Sequence, residues 1–321
     1  MTGIAQTIRK FIAFLAAIGF FSSIATSSHA AETMTQKLRH GYVDNRYGQL
    51  HYAIAQPAGG SDKPPIILLH QSPNSSVEYD DLTLELGRDR VAIAFDTPGH
   101  GGSDGPDTQP TIEDYAAAIV EGLTNLGYGP DKPVDLFGNH TGGRTATEIA
   151  VSHPELVRRV IIGLSPYGFV DDAMSKKLFS EVYHPASAGD LLTRFCAALP
   201  ARMERAEKAG IPDPMWGRIA VESLRGMTRH EFGHAAAFEY GPRFKKRMLE
   251  ITQPVLLFVV DDPVDVYQGD KTALSTSQEV KSLMTKAKSV AILDDDYRNN
   301  SFHVRAGDIA TAFHAFQDAP G

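Results

Sequence analysis

A single cysteine, Cys196, stands in a chain of 321 residues, so no disulfide can form within it. A chain of this length buries a core that holds without covalent staples, even in an oxidising compartment. An excess of basic residues is missing too. Lysine and arginine number 31 against 39 aspartates and glutamates, a net charge of −8, which gives no general attraction for nucleic acid or anionic lipid. A long apolar run is absent as well: the stretch Phe11 to Phe21 falls short of the roughly 20 residues that a membrane-spanning helix needs.

That short run has a telling setting. It follows Arg9 and Lys10 and leads into Thr26-Ser27-Ser28-His29-Ala30-Ala31, with small residues at 28 and 30. Basic, apolar and small-residue segments in this order describe a secretory signal peptide cleaved after Ala30; the alternative is an uncleaved membrane anchor. Export to the periplasm or the medium is the expectation. Loss of residues 1–30, whose charged residues are Arg9 and Lys10, would take the net charge from −8 to −10. What is left, 31–321, is the size of one large α/β domain.

Within it, buried-strand patterns alternate with glycine turns and helix patterns. Pro65 to Leu69, Val91 to Phe95, Pro133 to Phe137, Val157 to Leu164, Pro254 to Val260 and Ser289 to Leu293 are apolar runs of the kind that parallel strands covered on both faces require. Two shorter strands, Gly41 to Asp44 and Gln49 to Ala55, flank the turn Asn45 to Gly48. A helix is expected from about Thr111 to Leu126, and another from about Asp308 to Gln317. The succession predicts a doubly wound, mostly parallel sheet.

The centre of the pattern is Gly138-Asn139-His140-Thr141-Gly142, between the strand ending at Phe137 and a helix from Thr145. It resembles the G-x-nucleophile-x-G elbow of the α/β-hydrolases, as found in the haloalkane dehalogenase and epoxide hydrolase branch. His70-Gln71-Ser72-Pro73-Asn74-Ser75-Ser76 is similar to that branch's H-G-N-P-T-S-S, with Gln71 in place of glycine. Asp96-Thr97-Pro98-Gly99-His100-Gly101-Gly102-Ser103 is similar to the family's D-x-P-G-x-G-x-S turn, and Asp96, His100 and Ser103 read as structural. The resemblance covers Tyr42 to Phe316. It implies an α/β-hydrolase fold with a helical cap inserted at about 171–246, and backbone N–H groups of Ser72 and Thr141 as oxyanion donors. It also implies an acid on the loop after Val260, where Asp262 fits best and Asp265 second, and a catalytic histidine on the loop after Leu293. His303 is the one histidine there, although the family's register falls on Asn299.

The nucleophile is what this chain lacks. At the tip, where Ser, Cys or Asp is usual, stands His140, and a serine hydrolase stripped of its serine loses on the order of a millionfold in turnover. His140 can still attack as a neutral imidazole, or act as general base on a water beneath the Ser72 and Thr141 amides. The helix N-terminus beside it disfavours protonation.

One further motif carries chemistry: His230-Glu231-Phe232-Gly233-His234 is H-E-x-x-H, which on a helix can place two imidazoles on zinc. A third ligand is not at the usual spacing, where Ala237 and Tyr240 stand; Glu239 and Glu250 are the nearby carboxylates. The segment reads as a chance match in a chain with 12 histidines. The expectation is therefore an exported hydrolase of a small carbonyl, ester or lactone-like substrate, using His140, Asp262 and His303, with no cofactor and no metal. The alternatives are an inactive ligand-binding protein of the same fold and a zinc hydrolase built on His230 and His234.

Overall fold

A computed structural model of the chain describes residues 37–164, 173, 177, 188–208, 210–227, 232–261, 271–298 and 300–320. The proposed leader lies outside the described residues, as do Asp262, Asp265, His230, Glu231 and Asn299.

Eight strands form one sheet: β1 (Arg39–Asn45), β2 (Gly48–Ala55), β3 (Ile66–Leu69), β4 (Ala92–Phe95), β5 (Val134–Asn139), β6 (Val157–Leu164), β7 (Val255–Val259) and β8 (Val290–Leu293). Their spatial order is β1-β2-β4-β3-β5-β6-β7-β8. The hairpin β1–β2 and the pair β2–β4 are antiparallel, and every pair from β4 to β8 is parallel. The strands from β3 to β5 and β7 are buried throughout, which is what their unbroken apolar runs require.

Side chains alternate between the two faces and so divide into two cores. Ile67, Leu69, Leu136 and Leu257 enter one, with α2 (Ile112–Asn125), α3 (Thr141–Ser152), α6 (Phe232–Met248) and α7 (Ala273–Leu283) against it. Ile66, Leu68, Phe137 and Phe258 enter the other, covered by α1 (Asp80–Leu86), α8 (Ser301–Val304) and α9 (Ala306–Gln317). Helix α2 starts where a reciprocal capping box fixes it, Thr111 with Asp114. Between β6 and β7 lie α4 (Ala188–Lys208), α5 (Asp213–Met227) and α6, the last packed along α3. That packing is tied by Arg247, whose guanidinium grips both carboxylate oxygens of Glu148 at 2.9 and 2.6 Å, and by the Tyr240 hydroxyl, which donates to the same carboxylate at 2.7 Å. Bidentate arginine–carboxylate geometry of this kind fixes orientation as well as distance.

Main chain meets main chain at Gly142, where a methyl group would run into the carbonyl oxygen of Leu69, and at Gly138, where one would run into that of Gly142. No side chain can yield there, because both obstacles are main chain. Gly142→Ala is therefore expected to cost more than about 3 kcal/mol or to prevent folding. Gly59→Ala, where a methyl meets nothing within 4 Å, should stay within about 1 kcal/mol. Urea denaturation of the two variants checks the contrast.

Candidate active site

Helix α3 springs directly from β5, and the turn between them is His140, its N-cap, with φ 48 and ψ −115. A non-glycine residue here holds a left-handed conformation costing on the order of 1–3 kcal/mol, sustained by the packing of Gly138 and Gly142 on either side. The strain lifts the imidazole to the tip of the turn, above the C-terminal ends of the parallel strands. Thr141 opens the helix, so its N–H has no acceptor within it.

Beside the tip runs the 70–73 loop that follows β3. His70 is buried, and its tautomer is fixed: Nδ1–H donates to the Gln71 carbonyl at 2.8 Å, while Nε2 accepts the Thr97 N–H at 2.9 Å. Burial lowers its pKa, so the ring works as a neutral bracket. The Gln71 N–H is held by the buried carboxylate of Glu78 at 3.0 Å. Asp96, at the end of β4, accepts the N–H groups of Ser76 and Gly102, both at 2.7 Å, and pairs with His51 at 2.8 Å. Burial alone would push this carboxyl up, but the hydrogen bond and charge of His51 and the Gly102 N–H hold it at about 2. Ser103 Oγ donates to the Asp96 carbonyl at 2.7 Å, so Asp96 and Ser103 stabilise this turn.

The helical insertion closes over that loop. A methyl on Gly226, near the end of α5, would meet the Pro73 carbonyl, and one on Gly233, at the start of α6, would meet the Ser72 hydroxyl; both would also touch the His100 ring at 3.1 Å. Ser223 Oγ donates to Asn74 Oδ1 at 2.6 Å. The histidine after Gly233 is His234, whose charge acts on the His140 ring. His140 is held down at about 3, first by desolvation, then by the charges of Arg144 and His234. Arg144 is 3% exposed, with its guanidinium carbon 5.1 Å from the centre of the Phe244 ring. Thus the ring at the elbow is a neutral imidazole over the whole working range of pH.

His303 has a different setting. It lies in the short helix α8, its Nδ1 3.0 Å from Asp81 Oδ2 and its side chain 3% exposed. Neighbouring Asp80 is pushed up to about 6, chiefly by desolvation and against the pull of Arg218 from α5, 2.7 Å away. An open groove beside that pair, lined by Val77, Pro214, Gly217, Arg218, Val221 and Glu222, does not include His140. Ser72 and Thr141 are both buried; Thr141 follows the tip directly, and the loop that carries Ser72 approaches β5 where the Asn139 amide donates to Gln71 Oε1 at 3.5 Å. Among the described residues no group of three or more histidine, cysteine or acidic side chains is arranged to hold a metal.

Three site residues were not singled out from sequence. Arg144 and Glu78 sit at fixed offsets from the elbow and the 70–73 loop, a signal that a helix face could have given. In the sequence His234 reads only as half of a zinc motif; its charge reaches His140 because α6 packs along α3.

A parallel sheet with a strained strand–helix turn at its centre and helices inserted after β6 defines a class of hydrolase scaffold. Residues 64–272 match the model of the alpha/beta hydrolase fold family, and the chain belongs to that family. It is 32% identical over 105 residues to the 2-(acetamidomethylene)succinate hydrolase of Mesorhizobium japonicum, covering 32% of this chain and 37% of that one. It is 32% identical over 143 residues to haloalkane dehalogenase 2 of Mycobacterium tuberculosis, covering 44% and 46%. The chain thus spans less than half the length of these curated relatives. Among solved structures it is similar to the enol-lactonase from Burkholderia xenovorans, with a TM-score of 0.66 at 16% identity over 87% of this chain and 100% of that one. It is also similar to E-2-(acetamidomethylene)succinate hydrolase, at 0.62 and 20% over 88% and 100%. These relatives are hydrolases of small molecules on the same fold.

The Asp96 cluster has a pH signature. Its folded pKa of about 2 lies below the ordinary 3.8, so the charged carboxylate contributes stability that is complete above about pH 5 and is lost as pH falls through 4 towards 2. Asp96→Asn should cost about 2 kcal/mol or more at pH 7. Urea unfolding across pH should show the gap to wild type closing towards pH 2.

Proposed function

We propose that this chain is an exported hydrolase of a small carbonyl, ester or lactone-like substrate in which His140 takes the place of the family's nucleophile. The observation that carries this reading is the imidazole at the tip of the strained elbow, kept neutral by desolvation and by Arg144 and His234. A neutral ring has a lone pair to offer. In the reading favoured here it accepts a proton from a water, the water attacks the substrate carbonyl, and the developing oxyanion is received by the Ser72 and Thr141 N–H groups. Direct attack by the ring, with transfer of the acyl group to water, is the other route.

If His303 serves the step, its Nδ1, held by Asp81, leaves Nε2 as the nitrogen that takes the proton. The assignment of Asp262 as the acid belongs to the same proposal and lies outside the described residues. A binding protein without turnover is the competing reading; the preserved elbow and its flanking amides favour catalysis. The basic, apolar and small-residue order of residues 9–31 supports export, and intact-mass measurement of the secreted protein should give an N-terminus at Ala31.

Against a panel of short-chain aryl esters and lactones, His140→Ala should lower kcat/KM at least about 100-fold with the fold intact. Because the unprotonated ring is the active form and its folded pKa is about 3, His140 should put no acid limb on the kcat/KM profile between pH 8 and 5. Steady-state kinetics on both proteins tests this, and turnover unchanged by the substitution would sink the proposal.

A further inference from the structure

At the edge of the sheet, four strands from β5, the hairpin of β1 and β2 brings two imidazoles together. In its antiparallel register His40 faces Ala53 and His51 faces Tyr42, so the two histidines are diagonal neighbours on one face, a separation that long side chains can close. Ala53 is too short to come between them. His40 Nδ1 lies 3.2 Å from His51 Nε2, with the rings stacked at 15° to each other. His40 is exposed and His51 half-buried, so the pair is open to solvent on one side.

The far nitrogen of His51 is already committed. Its Nδ1 is 2.8 Å from Asp96 Oδ2, and an ionised carboxylate only accepts, so Nδ1 carries the proton. Nε2 of His51 therefore presents a lone pair, and in the neutral pair it is His40 Nδ1–H that donates to it. Burial, then the charges of His51 and Arg218, lower the pKa of His40, which favours the neutral ring that a metal ion requires. Arg218 is itself paired with Asp80 at 2.7 Å. A histidine whose second nitrogen donates to a carboxylate has the orientation typical of metal ligands. Two nitrogens each about 2.0–2.1 Å from one ion stand 3.2 Å apart at an angle of about 103°, near the tetrahedral value.

We propose that His40 Nδ1 and His51 Nε2 bind one divalent transition metal ion of the class that imidazole ligates, with Asp96 positioning His51 and water completing the coordination. On binding, the His40 proton passes through solvent from Nδ1 to Nε2, so the neutral pair changes tautomer and releases no proton. Among the described residues no group of three or more histidine, cysteine or acidic side chains is arranged to hold a metal, which leaves the remaining positions to water and makes the site an open one. The ion fastens β1 to β2 and, through His51, the Asp96 carboxylate that accepts the Ser76 and Gly102 N–H groups. Nothing in this site depends on the role given to His140.

Isothermal titration calorimetry of the purified protein with zinc chloride, and with magnesium chloride as a cation that prefers oxygen ligands, tests the proposal. Zn2+ should bind and Mg2+ should not at the same concentration. His40→Ala should weaken Zn2+ at least about tenfold, and because His40 is exposed on an edge strand the variant should keep the wild-type circular dichroism. His40→Gln serves in its place if the alanine variant does not fold. In the protein labelled with nitrogen-15 histidine, Zn2+ should move the His40 Nδ1 and His51 Nε2 signals and leave His51 Nδ1 protonated. Absence of Zn2+ binding, binding unchanged in the folded His40 variant, or Zn2+ shifts confined to other histidines would overturn the proposal.

Discussion

The contact between Gly142 and the carbonyl of Leu69 is the constraint from which the rest of the site follows. It lets α3 begin within main-chain distance of the end of β3, so that a strand end, a helix start and the 70–73 loop share one small volume. The chain has no room to make this turn relaxed, and His140 absorbs the cost in its positive φ. In return the imidazole is held at the tip of the turn, at the positive end of a helix. Displacing α3 by the width of a methyl group would separate all of these at once.

Buried charge holds the surroundings in register. Asp96 binds amides from two different turns and a histidine from β2, Glu78 binds the loop from behind, and Glu148 with Arg247 fastens α6 to α3. For Asp96 and Glu148, hydrogen-bond donors hold the carboxyl below its ordinary pKa against the upward push of burial. The effect at the centre is the opposite. His140 is buried, and the charges of Arg144 and His234 add to that desolvation, so it stays neutral.

Much of this was legible in the sequence, because glycine spacing and apolar runs report on main-chain geometry. Gly138 and Gly142 mark a turn that no other residue fits, and Ile66 to Leu69 or Val255 to Val259 can only be strands covered on both faces. What escaped was set by packing between distant segments. His234 looked like part of a chance H-E-x-x-H, since nothing in local spacing says that Gly233 will press on Ser72. His303 was placed in a loop after the last strand; it is in a helical turn against Asp81, 222 residues earlier, a pairing visible only once α8 meets α1. Nothing in the sequence marks Arg144, because the ring it packs on, Phe244, comes from the inserted helices.

The central claim is that the elbow carries a neutral imidazole, and the most direct test is the titration of the His140 ring nitrogens by NMR in the protein labelled with nitrogen-15 histidine. Comparison with His140→Gln assigns its signals. The account predicts that His140 remains neutral from pH 8 down to about 4, with protonation beginning only as the midpoint of about 3 is approached. A midpoint near the ordinary 6.5 would mean a solvated ring with no cationic environment, and would contradict it.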